Sequence, residues 1–412
     1  MTRSQLRTMV SRTAPLVAVL LLALGMAPPA PAAQHPEHPR YRVTELPSLG
    51  GSASAGSSIN NRGWTAGFSN LPGDRTRHAT LWQPRSIRDL GTLGGPNSAV
   101  VWPVKNNHGL VAGIAQTAKT DPLGEAWSCS AFFPGEPTGH TCLGFVWKSG
   151  KMRALPTLGG NNGFAAGVNQ RGRVVGWAEN TVRDPTCNPP QVLQFRAIMW
   201  GPRARIRELP PLPGDTVSAA TAINDRGQVV GISGICDNAV GRFSARHAVR
   251  WEHGRPIDIG NLGGGAWHTP MAINQRGAVV GFSNLPGDSG GRFNAHAFFW
   301  TSRDGITDLG TLPGDTTSQA LAINARRQVV GLSCGSGGCR AFLWQRGVMR
   351  DLNTLVAPGH AGHLSSANDI NDAGVITGEA LDPQTGDSRA FTAAPRSTRT
   401  KANSVNRLGG RP

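Results

Sequence analysis

Apolar residues in this chain arrive in short, β-branched runs separated by small polar turns, and one such arrangement recurs along its length. Its clearest copy is Ile223-Asn224-Asp225-Arg226-Gly227-Gln228-Val229-Val230-Gly231. Close relatives begin at Ile273 and Ile323, and looser ones at Ile59, Val104, Val168 and Ile370. Asn-x-x-Gly between two β-branched stretches predicts a hairpin built on a type I turn and closed by a glycine with positive φ. The Asn side chain can bond the backbone two residues on, and the glycine takes a conformation that costs other residues energy. Arg327 stands at that glycine position in the sixth copy, so its turn is expected to be strained or differently shaped.

A third strand is predicted after a variable loop, as in His296-Ala297-Phe298-Phe299-Trp300. Six of the eleven tryptophans fall at its final position, which marks them as core anchors. A fourth strand ends in Asp89-Leu90-Gly91-Thr92-Leu93-Gly94-Gly95 and its relatives from Asp258 and Asp308. The recurring asparagines run from Asn60 to Asn371, 311 residues in six intervals of about 52. Asn106 lies one place further from its Val than the others do. Four short antiparallel strands per 50-odd residues predict a propeller blade. The last copy breaks off before its fourth strand, while Tyr41 to Gly51 is a fourth strand without a blade. Each fragment completes the other, as ring closure requires. The expected fold is therefore all-β: a seven-bladed β-propeller over 41–394, closed by an N-terminal strand, with six or eight blades as the alternatives.

Together these motifs resemble the secreted HAF-repeat family, named for the tripeptide that stands here as His296-Ala297-Phe298. The resemblance covers nearly the whole chain after the N-terminal segment. It implies an exported β-repeat protein and no defined reaction.

Composition agrees with a turn-rich fold: 54 Gly and 30 Pro make up about one residue in five of the 412, too many helix breakers for a helical protein. The net charge of +16 is half terminal, since Arg3, Arg7 and Arg12 at one end and five basic residues after Pro395 meet no acid there. Basic Arg3 to Arg12, the apolar run Leu16 to Ala27 and Ala30-Pro31-Ala32 read as a secretory signal over 1–32. A flexible leader is expected over 33–40 and a basic disordered tail over 395–412. An exported chain meets an oxidising environment, so its six cysteines are expected in disulfides. Of the 15 possible connectivities, their placement in loops between second and third strands favours Cys129 with Cys142, Cys334 with Cys339, and Cys187 with Cys236 between neighbouring loops.

Motifs that spell catalysis dissolve in the repeat. Gly287-Asp288-Ser289-Gly290-Gly291 matches a serine-protease motif, but its sister loop after Asp74 carries Arg75 instead. Gly331-Leu332-Ser333-Cys334-Gly335 imitates a hydrolase elbow while closing a hairpin strand like Gly231-Ile232-Ser233. No zinc-type spacing, clustered calcium ligands or cofactor motif occurs, so neither catalytic residues, metal nor cofactor are assigned. The arginines are scattered rather than arrayed with aromatics, which argues against nucleic acid, and the apolar run is too short to span a membrane. The expectation is a monomeric, non-enzymatic propeller binding an extracellular polymer, anionic polymers included, or a protein. A propeller hydrolase or lyase acting on a polysaccharide or another cell-surface ligand is the alternative. Trp127, His140, Trp267 and His268, which break the repeat in loops of one face, are the candidate ligand contacts.

Overall fold

Each repeat folds as a four-strand antiparallel meander, because its apolar runs are strand-length and its turns are Asn/Gly-rich. A computed structural model describes residues 41–125, 129, 131–202, 205–237, 241–288 and 291–396. The expected signal and leader, and the tail from 397 onward, lie outside them. Among the described residues no helix is long and apolar enough to cross a membrane.

The chain forms seven four-stranded sheets arranged as a β-propeller. Blade one begins at Ser54–Ile59, and the later blades begin at Gly94–Ala99, Gly163–Val168, Val217–Ile223, Thr269–Ile273, Thr317–Ile323 and His363–Ile370. The first strands of blades three to seven neighbour one another around the axis, and that of blade seven touches that of blade one. The seventh sheet is completed by Tyr41–Glu45, which pairs with Ser388–Pro395 from Tyr41 opposite Pro395 to Glu45 opposite Phe391. No open sheet edge is left at the seam.

The recurring asparagine is what holds the ring at one end. The Nδ2 of each donates to the main-chain carbonyl of its counterpart in the next blade: Asn60 to Asn106 (3.1 Å), on through Asn169, Asn224, Asn274 and Asn324 to Asn371, and from Asn371 back to Asn60 (3.1 Å). Seven bonds close a circle. In the same turns each Oδ1 accepts local main-chain N–H groups, as Asn274 does from Arg276 (3.0 Å) and Ala278 (3.1 Å). The hairpin glycine follows at positive φ, 84° at Gly277. Arg327 adopts φ 59° and keeps the same bond to Asn324, so this turn has the shape of its sisters and carries the left-handed cost.

The His-Ala-Phe motif is likewise structural. His296 Nδ1 pairs with Asp308 (2.9 Å) and His78 with Asp89 (2.7 Å), joining third to fourth strand. Ala297 and Phe298 are fully buried, and Ala297 N–H donates to Ser318 Oγ of the next blade (2.8 Å). The recurring tryptophans lock blades too: Trp82, Trp200 and Trp251 donate Nε1 protons to the carbonyls of Pro47, Pro156 and Pro210. Three disulfides form, Cys129–Cys142, Cys187–Cys236 and Cys334–Cys339. The cysteines are not all in loops, however. Cys142, Cys334 and Cys339 lie within strands, because the hairpin pairing continues past the expected loop boundaries.

Candidate functional site

The antiparallel meander puts first-to-second and third-to-fourth hairpins at one end of the propeller, here called lower, and the second-to-third loops and blade junctions at the other. Two cavities on the axis belong to these two ends.

The lower cavity, about 130 Å³, lies inside the asparagine ring and is filled from blade two. The extra residue between Val104 and Asn106 is Lys105. Its Nζ donates to the carbonyls of Ile323 (3.1 Å) and Ile370 (3.0 Å) and pairs with Asp369 Oδ1 (3.0 Å). Asp369 is wholly buried and also accepts from the main-chain N–H of Ile59 (2.8 Å) and of Ile370 (2.8 Å). Burial pushes its carboxyl up, and the Lys105 charge opposes that. An ammonium bound by carbonyls and one carboxylate has no bond left to offer a ligand, so this end is plugged.

The upper cavity, about 320 Å³, is open. In six inner strands one residue falls out of the ladder at a bulge, and Ser57, Met271, Leu321 and Asn368 of this set line the cavity. Bulges of this kind re-aim a side chain, here towards the axis. The first strand of blade two ends at Ala99, and the irregular segment that follows supplies Trp102 to the upper cavity just as it supplies Lys105 to the lower one. Ser58 Oγ anchors that segment through Val104 N (2.9 Å). Trp102 is backed by Phe164 and Trp177, with ring centroids 5.1 and 5.4 Å away, and these two stack at 4.3 Å.

The position after each second-strand glycine decides the chemistry of the wall. It is Phe68, Ile114, Trp177, Ile232, Phe282 and Leu332 in blades one to six, and Glu379 in blade seven. Phe68, Phe282 and Glu379 line the cavity, and so do Gln319 and Asn368. Thus the lining combines aromatic with polar side chains. Glu379 is the only titratable side chain lining the cavity among the described residues. Burial pushes its carboxyl up, against a Ser388 hydrogen bond and the charge of Arg77. Arg77 lies 3.8 Å over the Phe68 ring and donates to Asn70 Oδ1 (2.9 Å) and the Phe132 carbonyl (2.9 Å). Its burial lowers the guanidinium to about 10, while Glu379 pulls it back up.

Of the four candidates read from sequence, the three that the structure describes, His140, Trp267 and His268, are not in this lining. Trp127 lies outside the described residues. His140 opens the third strand of blade two, His140–Lys148, with Nδ1 buried and unpartnered. Trp267 adopts φ 60°, meets Phe293 edge-on at 5.8 Å and leaves Nε1 unpartnered. His268 is 1% exposed, with Nδ1 2.8 Å from Ser283 Oγ and Nε2 3.2 Å from the Gly264 carbonyl. Burial lowers it to about 4, so it is a neutral core residue at neutral pH. Trp102 and Glu379 escaped notice although each has a signal: an extra residue before a repeat asparagine, and an acid at an apolar repeat position.

The motifs that imitate catalysis have structural work. Ser333 Oγ accepts from Leu312 N (3.0 Å) as Ser283 does from Leu262 (2.9 Å) and Ser233 from Leu212 (2.9 Å). Asp288 accepts from Gly265 N (2.9 Å) and Asn284 Nδ2 (3.1 Å), and Ser289 lies outside the described residues. Asp184 sits near Cys187 and Cys236, whose sulfurs are consumed by their disulfide.

No protein-family model and no curated protein matches this chain. Among solved structures, it is similar to virginiamycin B lyase from Staphylococcus aureus, at 12% identity over 86% of this chain and 99% of that one, with a TM-score of 0.48. It is similar also to a puromycin hydrolase, at 15% identity over 83% of this chain and 51% of that one, with a TM-score of 0.46. A third is Porphyromonas gingivalis dipeptidyl peptidase 4, at 8% identity over 81% and 51%, with a TM-score of 0.39. At such distances no chemistry transfers from these proteins to this chain.

Proposed function

We propose that this protein is a secreted, non-enzymatic binding propeller that holds part of an extracellular polymer or protein in the upper axial cavity. The observation that carries the reading is the lining itself. Acid–base chemistry on a polymer wants two groups within catalytic reach of the bond, and among the described residues Glu379 is the one titratable side chain in a lining otherwise of aromatic, apolar, hydroxyl and amide side chains. Such a mixture of apolar surface and a few convergent polar groups is what small-ligand pockets are made of. Loops of the same face are stapled by Cys129–Cys142 and Cys187–Cys236, which favours a preformed surface. Export is supported by the signal-like N-terminus, the three disulfides and the resemblance to the secreted HAF-repeat family.

The test is co-sedimentation of the mature chain with cell-surface polysaccharide and surface-protein fractions, comparing Leu321→Trp, which fills the cavity, and Trp102→Ala, which empties one wall. Capture by the unaltered chain, lost in both variants and with the captured fraction chemically unchanged, is the expected result. Time-dependent release of new reducing ends or peptide termini, abolished by Glu379→Gln, would replace this reading by the enzymatic one.

A further inference from the structure

Resting on that reading, we infer that the cavity selects a neutral, hydroxyl-rich ring, a single sugar residue of a glycan, and that Glu379 is its specificity-determining contact. The argument begins with charge. Glu379 is the one formal charge in the lining among the described residues, and Arg77, which stands 3.8 Å over the Phe68 ring of the same lining, is near enough to oppose its charge. A carboxylate already answered by a guanidinium gains little from a cationic ligand. An anionic ligand would face the carboxylate itself. The pair leaves a site without net charge, which favours a neutral guest over the uronate or teichoic-type polymers that the chain's overall basicity suggests.

Shape and hydrogen-bonding capacity narrow the class. Trp102, Phe68 and Phe282 give the lining aromatic surface, and the negative faces of such rings suit the weakly positive C–H groups of a pyranose. Among the polar lining residues Gln319 both donates and accepts, Asn368 accepts through Oδ1 while its Nδ2 donates to the Gly56 carbonyl (3.1 Å), and Glu379 accepts through two oxygens. Hydroxyl groups both donate and accept, so neighbouring hydroxyls on one ring edge can satisfy amides and carboxylate together. A wholly apolar guest would cover Gln319, Asn368 and Glu379 without offering any of them a partner. At about 320 Å³ the cavity lies at the small end of ligand pockets, near 300 to 1,000 Å³. It has room for a ring or chain end, not for a folded loop. The repeat gives independent support: Glu379 replaces the large apolar residue of the six other blades, and that exchange costs stability unless something uses the acid.

An array of neutral glucan, mannan and N-acetylglucosamine oligomers, set beside oligogalacturonates and chitosan oligomers, tests the inference with the mature chain and two variants that keep side-chain volume. Glu379→Leu restores the apolar residue type of the repeat, and Gln319→Leu removes one amide. Binding should favour neutral oligomers and weaken at least tenfold in each variant, with unchanged near-UV circular dichroism. Capture confined to uronate or amine-bearing oligomers would overturn it, as would neutral capture indifferent to both substitutions. If no glycan is held while a surface-protein fraction is still captured in a Trp102-dependent way, the sugar inference falls and the binding propeller stands. If a fraction is captured regardless of Trp102 and Leu321→Trp, the cavity reading itself falls.

Discussion

The two ends of the axis are built from the same seven repeats and behave as opposites. At the lower end every blade contributes the same asparagine to one closed hydrogen-bonded circle, and a lysine fills the middle. At the upper end the blades disagree: a Trp from an irregular segment, Phe in two blades, amides in two and an acid in one. Repetition yields closure, and departure from repetition yields a cavity with chemistry. In a propeller, therefore, the residues that define the repeat describe the scaffold, and a ligand site is to be sought where the repeat fails.

The most damaging way to break the comparison lies in the circle. Asn274→Ala removes three hydrogen bonds and leaves the N–H groups of Arg276 and Ala278 and the carbonyl of Asn324 without their partner. At about 1 kcal/mol or more for each lost bond, urea unfolding should show a loss of about 4 kcal/mol. Lys105→Met comes next, since it strands the buried Asp369 carboxylate, a loss of about 3 kcal/mol by the same measurement. The double variant Lys105→Met/Asp369→Asn should recover most of that. Failure to recover would mean that the ammonium acts mainly through the carbonyls of Ile323 and Ile370.

The upper end also titrates. His268, lowered to about 4 from 6.5, stays neutral when folded, so unfolding takes up a proton between pH 4 and 6.5 and its contribution to stability rises with pH across that window. Glu179 does the reverse. Burial first, and the nearby Glu125 charge second, raise it from 4.5 to about 7. Its contribution is complete below pH 4.5 and declines as pH rises towards 7. The two slopes, each at most about 1.4 kcal/mol per pH unit, offset one another between pH 4.5 and 6.5. Glu179→Gln should expose a rising stability curve there, and His268→Gln a falling one. Equal, flat curves in both variants would remove these groups from the pH response.

How much of this could be read from the sequence follows the same division. Asn60 to Asn371, the tryptophans and the orphan strand at Tyr41 carry the fold because they recur, so self-alignment finds the blades and the seam. Trp102 and Glu379 do not recur, and they meet only after the ring closes, with residues from blades one, two, five, six and seven on one cavity. His268 illustrates the hazard of seeking function in loops alone. It breaks the pattern, yet both ring nitrogens are bonded inside the protein. Even Lys105 was visible as a one-residue offset, but only the structure shows that the offset turns an ammonium onto the axis.

Two small gains of stability would sharpen the contrast most, because each restores the repeat at one end. Glu379→Leu removes a half-buried acid at the upper end and should raise stability by about 1 kcal/mol in urea unfolding while weakening ligand capture at least tenfold. Arg327→Gly is the control at the lower end. Its φ of 59° costs an L-residue about 1 to 2 kcal/mol, and glycine returns part of that gain through the greater freedom of its unfolded chain. A net rise of about 0.5 kcal/mol is expected, with ligand capture unchanged, because the Arg327 turn belongs to the plugged end. If Arg327→Gly also weakened capture, the two ends would be mechanically coupled through the inner strand of blade six, and the division between scaffold and site would have to be redrawn along Thr317–Ile323, which carries both Gln319 and Leu321 towards the cavity.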